Sequence, residues 1–206
     1  MTAGTASHWP RSLWWTVAVV TALSGLACAD PATWWMETAP TWIGLALLAL
    51  TWKRFQFTPI VVCVLALHAW ILAVGGHYTY AEVPVGWWLR DVLHLDRNPF
   101  DRLGHCFQGI TPALVVRELL LRTSPLRPGG WLATLCVAMA LGVSALYELI
   151  EWYAAVSLGQ SAEAFLGTQG DPWDAQADML CAFIGALLVV GFLARFHSRQ
   201  LRNLAA

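Results

Sequence analysis

Asn98-Pro99-Phe100-Asp101-Arg102-Leu103-Gly104-His105 and its echo Asp171-Pro172-Trp173-Asp174-Ala175-Gln176-Ala177-Asp178 follow one pattern. Each has a capping residue, a proline, an aromatic, an aspartate and, four residues further on, a second polar side chain at the mouth of an apolar run. Asn98 and Asp171 suit the N-cap, and Pro99 and Pro172 suit the first helical position, where a missing N–H costs nothing. Asp101 and Asp174 fall where a capping-box acid sits. Two helices are therefore expected to start alike. His105 and Asp178 lie about one turn too deep to cap anything, so they need another role.

The apolar runs behind these starts decide the fold class. Of 206 residues, 58% are hydrophobic and 12% charged, with a mean hydropathy of +0.56, against roughly a quarter charged in soluble domains. The composition is that of an all-α polytopic membrane protein forming a single integral domain over residues 1–206. For a hydrocarbon core of roughly 30 Å, six transmembrane helices are expected at about 13–29, 39–52, 58–75, 104–121, 131–152 and 175–194.

Charge sets the expected orientation. With both termini cytoplasmic, Arg11, Lys53, Arg54, Arg117, Arg122, Arg127, Arg195, Arg199 and Arg202 all fall inside, nine of the twelve basic residues, as the positive-inside rule asks. Arg90, Arg97 and Arg102 fall outside, and Glu118 is the single acid on the inner side. This puts the acids at the outer, extracytoplasmic face of the membrane. Beyond what topology demands there is no basic patch, which argues against nucleic acid as a partner.

Of thirteen tryptophans many, including Trp34, Trp35, Trp87, Trp88, Trp131, Trp152 and Trp173, fall at span ends and read as interfacial belts. The five cysteines lack any Cys-x-x-Cys spacing and read as small apolar packing residues; Cys106, beside His105, is also a candidate soft ligand. Ala27-Cys28-Ala29 before Asp30 has the small-residue pattern of a signal-peptidase site, but keeping the first span preserves the charge pattern. His68, alone near mid-membrane, reads as a satisfied core histidine.

Beyond Gly75-Gly76 runs a long connection to Asn98. Segments of that length in compact proteins are usually functional or partly structured. His77, Tyr80 and Glu82 make it a candidate substrate-contacting lid folded over the outer face. In the fourth span Asp101, His105 and Gln108 fall within about 60° of one another, and below Pro112 the span turns plainly apolar. Glu148 and Glu151 share a face near the end of the fifth span, where a carboxylate opposes the helix dipole and is costly at hydrocarbon depth. The second outer loop, about 153–170, contains Gly159, Glu163 and Gly167-Thr168-Gln169-Gly170 but no phosphate-loop pattern. In the sixth span Gly185 suits close helix packing.

Depth joins these pieces. At about 1.5 Å per residue, His105 and Asp178 each lie roughly 10 Å below their capping residues, and Glu148 lies at a similar height. Asp101, Glu148, Glu151, Asp171, Asp174 and Asp178 then face only Arg102 and His105. Carboxylates crowded at low dielectric keep protons or hold a cation. The donor set Asp101, His105, Glu148, Asp174 and Asp178 suits one divalent metal ion: Zn²⁺, Mn²⁺, Mg²⁺ or Ca²⁺.

Four stretches carry a resemblance over nearly the whole chain. They are His77-Tyr78-Thr79-Tyr80-Ala81-Glu82, Asp101-Arg102-Leu103-Gly104-His105, Tyr147-Glu148-Leu149-Ile150-Glu151-Trp152 and Gly167-Thr168-Gln169-Gly170-Asp171 on to Asp178. In these the chain resembles the uncharacterised YjdF-type family of bacterial inner-membrane proteins. More remotely, the order Asp101-x3-His105, Glu148, Asp174-x3-Asp178 is similar to VanZ-like membrane proteins, a family associated with teicoplanin resistance. There glutamine usually stands three residues after the glutamate, where this chain has Glu151. Neither resemblance implies an established reaction.

Three functions compete. In the first, a membrane-embedded hydrolase or transferase acts on a lipid or lipid-linked headgroup, with His105, Glu148 and Asp178 holding a metal and Glu151 as general base. The second is a proton- or cation-coupled transporter using the same acids, which the apolar inner halves of the spans disfavour. The third is a non-catalytic envelope protein that binds an ion. Membrane lipids are the expected partners in all three.

Overall fold

A computed structural model describes residues 11–158 and 168–205, all helix and connecting turns with no strand among them. Gly159, Glu163 and Gly167 lie outside the described residues. The elements are α1 (Arg11–Ser24), α2 (Pro31–Thr51), α3 (Pro59–Tyr78), a 3₁₀ turn (Tyr80–Glu82), α4 (Pro84–Leu93), α5 (Phe100–Thr123), α6 (Gly130–Leu158), α7 (Asp174–Leu188), a π turn (Val189–Leu193) and α8 (Ala194–Ala205). Among the described residues three stretches are long and apolar enough to cross a membrane: Pro59–Tyr78, Gly130–Ser157 and Asp174–Leu204. The last runs through the π turn and well past the expected end at 194.

The chain reverses at each connection, so the bundle has an acidic end bearing Trp152 and Asp171 and a basic end bearing Lys53, Arg122 and Arg202. Helices α5, α6 and α7 pack as a trio, and α3 joins α5 to the outer pair α1 and α2. At α5 and α7 the backbones themselves touch. A Cβ on Gly109 would strike the Ala182 carbonyl, and one on Gly185 would strike the Cys106 carbonyl, the small-residue approach that membrane helices use in place of a hydrophobic drive. Toward the basic end Val61, Ala113, Leu114, Leu132, Cys136, Ala140, Ala186 and Val189 form a dry core.

Helix α2 corrects the expected second span. It begins at Pro31 instead of near 39, with Asp30 as an N-cap whose side chain accepts from Thr33 N–H at 2.7 Å. The added turns bury Thr33, Trp34, Glu37 and Thr38, and their polarity is what hid them from a hydropathy reading. The long connection is also structured. Tyr80 is buried, because it lies across Gly75 of α3 and Gly104 of α5, where any Cβ would overlap its ring. Most tryptophans do face outward, among them Trp15, Trp35, Trp88, Trp131, Trp152 and Trp173. The cysteines are all free.

Candidate functional site

The two matched starts build the site, though not by capping as expected. Asn98 Oδ1 accepts from Phe100 N–H at 3.0 Å and Asp171 Oδ1 from Trp173 N–H at 2.9 Å, so both make Asx turns. Helices α5 and α7 consequently open at Phe100 and Asp174, one to two residues later than expected, and neither has a side-chain cap. The turns are also pinned together. Asn98 N–H donates to Gln169 Oε1 at 3.0 Å, and Gln169 Nε2 returns a bond to the Asn98 carbonyl at 3.1 Å.

Asp101 and Asp174 are engaged by arginines instead of caps. Asp174 accepts from Arg97 Nη1 at 2.5 Å and from Arg102 Nη2 at 2.6 Å. Arg102 also reaches Asp171 at 3.2 Å and makes a close contact with Asp178. Arg97, which the sequence reading left on the outer loop, pairs with Asp101 at 3.4 Å and Asp174. Two guanidiniums thus bridge α5 to α7 in the multidentate manner that arginine favours.

One turn deeper stands His105. Its Nε2 lies 3.5 Å from Asp101 Oδ1 and 3.6 Å from Asp178 Oδ1, and its Nδ1 is 2.9 Å from Gln108 Oε1. A proton on Nδ1, donated to Gln108, leaves the Nε2 lone pair directed between the two aspartates, the tautomer control that metal-binding histidines use. Ligand atoms of Asp101, His105 and Asp178 lie within 4.8 Å of one another and could hold a metal ion. Glu148 Oε1 lies 3.7 Å from His105 Nδ1 and is buried without a hydrogen-bond partner. Of the five anticipated metal ligands, then, three converge, Glu148 approaches on the other side of the ring, and Asp174 is held by arginines.

Asp101 and His105 of this cluster line a cavity of about 620 Å³ together with Gln108, Tyr80, Tyr147, Glu151 and His68, while Asp178 and Glu148 stand behind its wall. Glu37 lines it too and was missed by the sequence reading. It is 3% exposed on α2 and accepts from the Tyr147 hydroxyl at 3.0 Å. His77 and Glu82 do not join. His77 Nδ1 is 2.7 Å from the Ser24 carbonyl, and Glu82 takes a bond from Trp87 Nε1 at the surface. His68 lines the cavity, with the Phe107 ring at 6.1 Å. Cys106 lies outside the convergent trio.

Charge does not balance here. Glu37, Asp101, Glu148, Glu151, Asp171, Asp174 and Asp178 face Arg97, Arg102 and His105, seven acids against three bases. In a low dielectric so large an excess of negative charge needs compensation by protons or a cation.

A second buried cluster gathers Arg117 and Glu118 where α5, apolar just below Pro112, ends in basic residues. Glu118 accepts from Thr58 N–H at 3.0 Å, Thr58 Oγ1 at 2.6 Å, Arg122 at 2.7 Å and His197 Nε2 at 2.9 Å. Arg117 donates to His197 Nδ1 at 3.0 Å and Ser198 Oγ at 2.7 Å. These bonds tie α8 to α5 and to the start of α3. Fully buried Ala113 and Leu114 separate it from the acidic end.

Fold and site together define a polytopic helical membrane protein with a buried acid–histidine cluster at one end of its bundle. The family model described as "Predicted membrane protein (DUF2238)" matches residues 9–199, and the chain belongs to this family. It is similar to the inner membrane protein YjdF of Escherichia coli (strain K12), at 52% identity over 188 residues, covering 91% of this chain and 90% of that protein. No solved structure matches the chain.

Proposed function

We propose that the acidic end is a cation-dependent enzyme site acting on the headgroup of a lipid or lipid-linked substrate, as a hydrolase or transferase. The observation that carries this reading is the convergence of Asp101, His105 and Asp178, the first two of which line a cavity that also holds Glu37 and Glu151. Two carboxylates and one imidazole suit a hard or borderline divalent ion, Zn²⁺, Mn²⁺, Mg²⁺ or Ca²⁺, and leave coordination positions open. Such an ion would polarise a substrate oxygen and lower the pKa of a bound water. Gln108 holds the His105 ring, and Arg102 orients Asp178 and Asp174. Glu151, buried on the same cavity, takes the proton of the attacking hydroxyl.

Similarity to an inner-membrane protein and the distribution of Lys and Arg support a six-span chain in a bacterial inner membrane. In this arrangement the basic end is cytoplasmic and the site faces outward. The dry core between the two polar clusters disfavours a transport path through the bundle.

Elemental analysis of the purified protein after exposure to each ion tests the reading. About one equivalent bound by the wild type and lost in both His105→Ala and Asp178→Asn supports it. No bound metal in a folded, ion-loaded wild type refutes it, and metal binding without headgroup turnover leaves only the non-catalytic ion-binding function.

A further inference from the structure

The cavity is polar at one end and apolar at the other, along the membrane normal. Glu37, Asp101, His105 and Tyr147 line its head, while Leu45, Leu48, Leu65 and Val115 line its foot nearer the bilayer centre. A lipid of that leaflet has the same polarity order. The side wall is open to the bilayer. Ile43 and Leu47 of α2 and Val143 and Leu146 of α6 line the cavity and are also exposed on the lipid-facing surface. Helix α2 packs on α3 and α6 on α5 and α7, and the Tyr147–Glu37 bond spans the gap between them at the head end only.

Between head and foot lies a belt of unused hydrogen-bonding groups. Trp14 Nε1, Thr41 Oγ1 and Thr111 Oγ1 are buried without partners, and all three residues line the cavity, as does His68. Thr41 is only 6% exposed. Counted along the helices at about 1.5 Å per residue, Thr41 lies about 6 Å below Glu37, and Thr111 about 9 Å below His105. An orphaned polar group in hydrocarbon is destabilising, and the Trp14 indole can only donate. The belt therefore asks for acceptors on the occupant, a short distance beneath its headgroup. A polyprenyl or ether-linked chain offers no carbonyl there, whereas the acyl esters of a glycerolipid do.

We infer that the cavity is a berth for an ester-linked glycerolipid of the same leaflet, which enters sideways between α2 and α6 and sets its ester carbonyls against Trp14, Thr41 and Thr111. This rests on the function proposed above only in placing the headgroup beside His105.

The test is binding to purified, delipidated protein held in chelator, read by native mass spectrometry with three probes. These are a diacyl phosphatidylethanolamine, its di-ether analogue and a polyprenyl phosphate. The diacyl lipid is expected to bind about tenfold more tightly than the di-ether analogue, the size of one buried hydrogen bond. Thr41→Val with Thr111→Val should erase most of that preference. Ile43→Trp with Leu146→Trp should weaken both glycerolipids by obstructing the entry, with an unchanged melting temperature as control. Equal binding of diacyl and di-ether lipids by the wild type, or preference for the polyprenyl phosphate, overturns the inference without any variant. Because chelator is present, failure to find a metal would sink the enzyme reading and leave this one standing, and equal lipid binding would do the reverse.

Discussion

The Tyr147 hydroxyl of α6 donates to Glu37 Oε2 of α2 at 3.0 Å, joining residues 110 apart in the chain. It closes the head of the cavity, where α2 and α6 would otherwise stand apart. A hydrogen bond of this kind contributes about 1 kcal/mol net. Tyr147→Phe is therefore expected to lower stability by about that amount, with a smaller loss for Glu37→Gln, whose amide oxygen still accepts. Denaturation in detergent measures both, and a Glu37→Gln loss larger than that of Tyr147→Phe would contradict the assignment.

Arg102 touches Asp171, Asp174 and Asp178. Its removal leaves buried carboxylates uncompensated, and breaking such a network from one side costs about 3–5 kcal/mol. Arg102→Ala should be severely destabilised, and adding Asp178→Asn should restore part of the loss. Thermal unfolding of the single and double variants decides this, since additive losses would mean the two groups are not coupled.

The α5–α7 seam predicts a contrast among glycines. Gly109→Ala and Gly185→Ala each push a methyl into a facing carbonyl, whereas a Cβ at Gly142 meets nothing within 4 Å. Overpacking of this kind costs about 1–3 kcal/mol. Gly142→Ala should be neutral or slightly stabilising, since alanine is the better helix former. Equal melting temperatures for the three variants would show that the seam can part without penalty.

Orientation is testable with one cysteine at a time in a background lacking the five native ones. Asp91 and Arg127 are both exposed, at opposite ends of the bundle. A membrane-impermeant maleimide should label Asp91→Cys in intact spheroplasts and Arg127→Cys only after lysis. The reverse pattern would place the acid cluster in the cytoplasm.

Much of the site could be read from local pattern. His105, Asp178 and Glu148 each sit at a fixed depth in a helix, and a common height follows from helical rise alone. The misses came from residues whose role depends on a distant partner. Glu37 lies in a Thr-rich turn that hydropathy assigned to a loop, and Arg97 precedes its helix. Glu37 matters only once α2 meets Tyr147 of α6, and Arg97 only once Asp174 of α7 meets the start of α5. Tyr80 reaches the cavity because two glycines on different helices, Gly75 and Gly104, leave room for its ring. His197 and Glu118 looked like ordinary residues of a basic end, yet packing buries both.

By itself, the amino-acid sequence determined the apolar helices, the segregation of acids from bases and the depth of each polar group, because these follow from composition and the helical repeat. Tertiary structure alone decided which acids share arginines and which face His105 and the cavity. That choice rests on side chains from different helices meeting across the bundle, and no periodicity within a single helix encodes it.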